Sequence, residues 1–271
     1  MSLLRRKELS ITLSPQQITL TLRRNGWRDV NTQQLALPCM PTGPAPWTAP
    51  LAVLENLFKQ EQWSSGNVTV ILSNHFVRYM LIPWSEMLLR SSEQQAYLQH
   101  LFSDTYGDTA ARYQLRLSPS APGMERIASA IENTLLEQLR ATIADAGLRL
   151  ESIQPWLMFN FNKHRHQASR EGGWFVTVES GVIGIIGMAN GAWQLVRTLR
   201  CGPHWQQELH TALERLYLSG GADNIPKILR WCSTDTHQAD PAFNSEWRVI
   251  RLESKRNGAE KTVAAPLATA D

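Results

Sequence analysis

The chain has 271 residues and a mass of 30.6 kDa, enough for one large domain or for two lobes that each bury a core. Hydrophobic residues make up 43% and charged residues 19%, with a net charge of +3, which excludes a chain disordered throughout. The basic residues are interleaved with acids rather than clustered, so the sequence is not that of a nucleic-acid binder.

In chain order, Glu8 to Arg24 alternates Leu9, Ile11 and Leu13 with Ile18, Leu20 and Leu22 about Ser14-Pro15-Gln16-Gln17, the pattern of a β-hairpin with one buried face. Asn25-Gly26 predicts a turn and a third short strand near Trp27 to Val30. The prolines from Pro38 to Pro50 predict a loop, and Leu51 to Gln62 a helix. Asn67 to Pro83 reads as two strands, Glu86 to Tyr106 as mostly helix, and Arg112 to Leu117 as a strand. After a linker at 118–123, Ile127, Ile131, Leu135, Leu139 and Ile143 recur every four residues and predict one helix from Met124 to Ala146, capped by Gly147. A short strand follows over Leu148 to Ile153, and Asn160 to Gly173 reads as a polar loop at a lobe boundary.

The opening theme then recurs. Trp174 to Val178, Val182 to Met188 and Trp193 to Leu199 predict three strands broken at Glu179-Ser180-Gly181 and Asn190-Gly191. His204 to Arg215 predicts a helix and Leu216 to Leu218 a short buried strand. Gly220-Gly221 reads as a turn into a helix over Ile225 to Cys232, and Trp247 to Leu252 as the last strand. Residues 253–271 are expected to be a disordered tail.

Cys39, Cys201 and Cys232 are odd in number and widely spaced, with no C-x-x-C pair, which argues against a disulfide framework or zinc site. His164-x-His166 lacks partner ligands at metal spacing and reads as a solvated loop. Neither a nucleophile elbow nor a P-loop is present. Trp84, after Ile82-Pro83, is a candidate interface anchor. The start, Met1 to Glu8, has charge but no following apolar region, so no secretory signal is expected. No uncharged apolar run reaches the roughly 18 residues of a membrane span. The nearest, Trp174 to Val196, carries Glu179 and four glycines. A cytoplasmic location is expected.

The segment Leu216 to Leu229, read as strand, Gly220-Gly221 and helix, resembles the adenosine-side motif of the actin-like ATPase superfamily. The two three-stranded meanders fit that fold, a duplicated pair of lobes. Three further segments resemble the PilM family of pilus assembly proteins and the cytoplasmic part of GspL from type II secretion. They are Val68 to Tyr79, Glu93 to Leu117, and Leu135 to Pro155 with its Ala146-Gly147-Leu148 and Ile153-Gln154-Pro155.

The resemblance implies an α/β, ribonuclease H-like duplicated fold. The first lobe would span 1–165 with a small α+β insert at about 76–118, and the second 166–252. It implies a vestigial nucleotide cleft at Glu179, Gly181, Gly220 and Gly221. Nucleotide-binding members carry D-x-G at the first hairpin of each lobe, whereas this chain has Thr12-Leu13-Ser14-Pro15 at the first and only Glu179-x-Gly181 at the second. Weak or no binding of Mg-ATP is therefore expected, and no catalysis. The role implied is a scaffold that binds a peptide of a PilN-like single-span inner-membrane partner and contacts an assembly ATPase. A nucleotide-dependent enzyme of the sugar-kinase or ATPase kind, and an α/β protein of another fold, remain as rival readings.

Overall fold

The structure, a computed structural model, describes all residues except 1–6, 26–29, 41–42, 44, 61–65, 169–170, 236–237, 253–260 and 263–271. It divides into two compact units. The first comprises the chain up to Phe76, Thr134–Pro155 and the short strand at 261–262; the second comprises Val77–Asn133 and the chain from Trp156 through the last described residues before 253.

The first unit is built on a six-stranded sheet. Strands β1 (Lys7–Leu13), β2 (Gln17–Asn25) and β3 (Val30–Pro38) form an antiparallel meander, with Leu13 opposite Ile18 and Asn25 opposite Val30. Helix α1 (Thr48–Gln60) leads to β4 (Asn67–Leu72), parallel to β1. Helix α3 (Asn133–Asp145) leads to β8 (Arg149–Pro155), parallel to β4. The sheet order is β14-β3-β2-β1-β4-β8, where β14 is Lys261–Thr262. Along β1, Leu9, Ile11 and Leu13 are buried while Ser10 and Thr12 are partly exposed, so alternation in the sequence reports one covered face. Leu51, Leu54, Leu57 and Phe58 of α1 and Leu135, Leu139 and Ile143 of α3 are buried stripes.

The second unit repeats that order. Strands β9 (Gly173–Glu179), β10 (Val182–Ala189) and β11 (Ala192–Arg200) form its meander. Helix α5 (Trp205–Leu218) leads to β12 (Ile228–Ser233), parallel to β9, and β13 (Arg248–Arg251) is parallel to β12. The order β11-β10-β9-β12-β13 matches β3-β2-β1-β4-β8 strand for strand. Every residue of β9 and β10 is buried, because both faces are covered. On one face Trp174, Val176 and Val178 join Leu209, Leu213 and Leu216 of α5. On the other, Phe175 meets Phe161 of α4 (Trp156–Ala168) edge-on at 5.3 Å. Where the first unit has α3, the second has a segment over 238–247 that contributes Phe243 and Trp247 to the core around α5.

A three-stranded sheet, order β5-β7-β6, completes the second unit: β5 is Val77–Ile82, β6 Tyr113–Leu117 and β7 Arg126–Glu132. Helix α2 (Ser91–Tyr106) packs on it through Leu98 and Phe102, with Leu88, Leu115, Ala128 and Ala130. Trp84 is half-buried against this cluster.

Several sequence expectations are corrected. Residues 124–146 are not one helix but strand β7 followed by α3. Ile127 and Ile131, four apart, lie on one side of a strand as well as of a helix, so that spacing alone does not separate them. The expected loop over 160–173 is largely α4, and the position 165/166 expected as a lobe boundary lies inside it. The third strand begins at Val30 rather than ending there, and residues 26–29 lie outside the described residues. Of the tail expected to be disordered, 253–260 and 263–271 also lie outside them, while 261–262 pairs with Gln33 and Gln34 of β3.

Candidate functional site

The two hairpin turns are the places where this topology brings loop backbone to the ends of parallel strands. In the first unit the β1–β2 turn is held by Ser14. Its Oγ donates to the Gln17 carbonyl at 2.8 Å and accepts from the Gln17 N–H at 3.1 Å. The Ser73 N–H after β4 donates to the Leu13 carbonyl at 2.9 Å, and Pro15 is buried. A buried proline has no N–H to give, and the serine is already engaged within its own turn. This turn does not present a row of backbone donors to an anion.

In the second unit Gly181 turns β9 into β10 at φ +83°, a conformation that favours glycine. Its carbonyl accepts from the Cys201 N–H at 3.1 Å, which ties the turn to the segment leading into α5. Glu179, the last residue of β9, is only 5% exposed and lies on the α4 face of the sheet, in alternation with Phe175 and Thr177. Its charge is felt by Tyr79 of β5, by Cys201 and by Cys232. Burial pushes the Tyr79 hydroxyl well above its usual range; the Glu179 carboxylate pushes it further, and a hydrogen bond with the Leu157 backbone opposes both. The acid that the resemblance assigns to a nucleotide cleft is therefore enclosed beside a buried tyrosine. Tyr79 carries no sequence signal for this role, because its position depends on how β5 packs within the second unit.

Gly220 and Gly221 lie elsewhere. Residues 216–218 are not a strand but the last turn of α5, and Leu218 is 87% exposed. The Gly220 N–H bonds the Tyr217 carbonyl and the Gly221 N–H the Leu216 carbonyl, so the glycines end a helix. The residues read as a following helix, Ile225 to Cys232, contain strand β12 instead. Strand-glycine-helix, the reading that suggested a phosphate near a helix N-terminus, is thus corrected to helix-glycine-strand.

The N-terminal end of α5 sits by Gly181: Gly202 donates to Glu208 Oε1 at 2.9 Å, and Cys201 bonds Gly181. The C-terminal end sits by the start of β9, where Trp174 Nε1 donates to Tyr217 Oη at 2.9 Å. Gly181 and Gly220 are therefore near opposite ends of a 14-residue helix, which spans ~21 Å at 1.5 Å per residue. The four residues expected to share one cleft are not brought together, and they do not form a fitting cradle for Mg-ATP.

His164, expected in a solvated loop, lies on the buried side of α4 at 8% exposure. Burial chiefly lowers its pKa, helped by Lys163 and opposed by a hydrogen bond with Gln167. Among the described residues, no three His, Cys, Asp or Glu side chains are grouped as metal ligands. Likewise, no helix among them is long and apolar enough to cross a membrane. The sequence also hid a cationic grouping. Arg230, placed in the expected helix, is a buried strand residue close to Glu171, 59 positions away.

Two sheets of the same strand order, with an insert after β4 of the first, define an actin-like fold. Comparison with solved structures shows which proteins share it. The PilM-PilN type IV pilus biogenesis complex aligns over 92% of this chain and 89% of that chain, with a TM-score of 0.65 at 11% identity. The cytoplasmic domain of EpsL, an inner-membrane component of the type II secretion system of Vibrio cholerae, aligns over 92% and 90%, with a TM-score of 0.58 at 10% identity. A Bacteroides thetaiotaomicron protein with an actin-like ATPase fold aligns over 92% and 91%, with a TM-score of 0.56 at 12% identity. No family model and no curated protein sequence matches the chain.

Proposed function

We propose that this chain is a non-catalytic scaffold on the cytoplasmic side of an inner-membrane pilus or secretion assembly platform. In this reading it captures a short peptide from a PilN-like single-span membrane partner and contacts the assembly ATPase. The observation that carries the reading is the likeness to the PilM-PilN complex over 92% of the chain. The closed Ser14-Pro15 turn supports a role without nucleotide chemistry, since a buried proline stands where backbone donors would face a phosphate.

The test is thermal unfolding of the chain with millimolar Mg-ATP, and separately with the cytoplasmic N-terminal segment of a single-span membrane protein encoded beside it. A ligand at about a hundred times its Kd stabilises the native state by about 2.7 kcal/mol. Stabilisation by the peptide and none by Mg-ATP is the expected result. The reverse pattern would establish the rival reading, a nucleotide-dependent enzyme that uses the Glu179-Ser180-Gly181 turn.

A further inference from the structure

A recess of about 450 Å³ opens beside β13, the outer strand of the second unit's sheet. Glu171, Arg230, Arg248 and Arg251 line it, with Ile250 and Leu252. Arg230 alternates along β12 with Leu229 and Trp231, which pack toward α5, so its side chain leaves the opposite face of the sheet. That side chain is only 4% exposed. One guanidinium nitrogen, Nη1, donates to the Gly172 carbonyl at 2.6 Å, which fixes its orientation. The other, Nη2, lies 3.4 Å from Glu171 Oε2, and Arg248 Nη2 bonds that same oxygen. Arg251 stands 4.8 Å over the Trp231 ring and 3.9 Å from Asp240.

Two guanidinium groups, those of Arg230 and Arg248, therefore converge in one recess with a single lining carboxylate, while the Arg251 guanidinium turns to the Trp231 side of the sheet. Glu171 is half exposed, so the carboxylate nearest the buried Arg230 sits partly in water, and the long 3.4 Å contact compensates that cation poorly. Burial accordingly lowers the Arg230 pKa, which Glu171 raises and Arg248 lowers again. Two arginines converging on one carboxylate oxygen already have the spacing to hold a carboxylate, and the apolar Ile250 and Leu252 beside them suit an aliphatic stem.

We propose that this recess is a docking pocket for an acidic side chain of a partner polypeptide. Arg230 and Arg248 take its carboxylate, and Glu171 occupies their place until the partner arrives. The proposal goes beyond the scaffold reading and does not depend on it.

The test is fluorescence anisotropy of a fluorescein-labelled peptide of alternating Leu and Glu, titrated with the full chain at low salt; the Leu-Lys peptide is the control. Saturable binding of the acidic peptide alone is expected. Arg248→Gln, at an exposed position, should weaken it at least tenfold with unchanged thermal unfolding. Glu171→Gln should tighten it severalfold, because the internal carboxylate no longer competes. Arg116→Gln, on β6 in the insert, should leave it unchanged. No binding, an equal loss in Arg116→Gln, or weaker binding in Glu171→Gln would overturn the proposal. Inorganic phosphate displacing the peptide better than glutarate would overturn the carboxylate assignment.

Discussion

Replacing Tyr217 by Phe removes one oxygen and leaves two buried groups without it. Tyr217 Oη accepts from Trp174 Nε1 at 2.9 Å and donates to the Ile225 carbonyl at 2.6 Å. Trp174 is fully buried and Ile225 is 3% exposed. The ring itself is retained, with its edge contacts to Trp174 at 6.0 Å and Trp247 at 5.8 Å, so little packing is lost. Each orphaned buried group costs roughly 1–3 kcal/mol. Tyr217 is partly exposed, which favours the lower half of that range for each partner and gives a loss of about 2–4 kcal/mol. Urea unfolding followed by circular dichroism reads the loss as a lower midpoint at unchanged slope. A loss below about 0.5 kcal/mol would refute the reasoning, because the hydroxyl would then not be what anchors the end of α5 to β9 and to the 222–227 segment.

Gly173→Ala places a methyl 2.5 Å from the Ile228 carbonyl oxygen at a backbone φ of +103°, so strand strain and displacement of β12 combine. A loss of roughly 3 kcal/mol or more is expected in thermal unfolding, against ~1 kcal/mol for Gly191→Ala, whose φ is +76° with nothing within 4 Å. Equal effects would contradict the close approach of β9 and β12. The thiols predict an alkaline limit. Burial and then the nearby Glu208 push Cys201 up from 9.0 to about 11, with Gly181 opposing and Glu179 adding. Burial takes Cys232 to about 12, with Lys163 opposing and Glu179 adding. Folding thus disfavours both thiolates, so their contribution is complete below pH 9.0 and is lost as pH rises from there toward about 11 and 12. Unfolding free energy measured from pH 8 upward should fall above pH 9, and Cys232→Ala should flatten that fall.

How much was legible depended on whether one period dominated. Strands β1 and β2 alternate cleanly, and Asn190 at φ +53° with Gly191 at +76° makes the two-residue turn that the pairing of β10 with β11 demands. The two meanders, and with them the duplicated architecture, followed from those signals. Helix α4 was hidden because its buried face, Leu157, Asn160, Phe161, His164 and Ala168, keeps helical spacing but includes two polar residues. Strand β12 was hidden by Pro226 and by Arg230, a charge in a buried strand whose Nη1 donates to the Gly172 carbonyl. At the candidate site the turns were readable, but their separation was not. Gly181 and Gly220 lie near the two ends of α5, and a strand expected at 216–218 puts Gly220 at a strand end, where the structure has it ending that helix.

The pairing of Val77 with Ile131 has a consequence for how the nascent chain folds. Strand β4 must find β8 across the whole of 77–133, and such a parallel pair, remote in sequence, is slow to close. The antiparallel β5–β7 pair brings the two ends of that stretch side by side before β8 needs a neighbour. Once it has formed, the effective loop between β4 and β8 shrinks to a few residues of strand end plus α3, which lowers the closure entropy. An insert whose own strands pair with each other thus shortens the loop that the last parallel strand of the first sheet has to close.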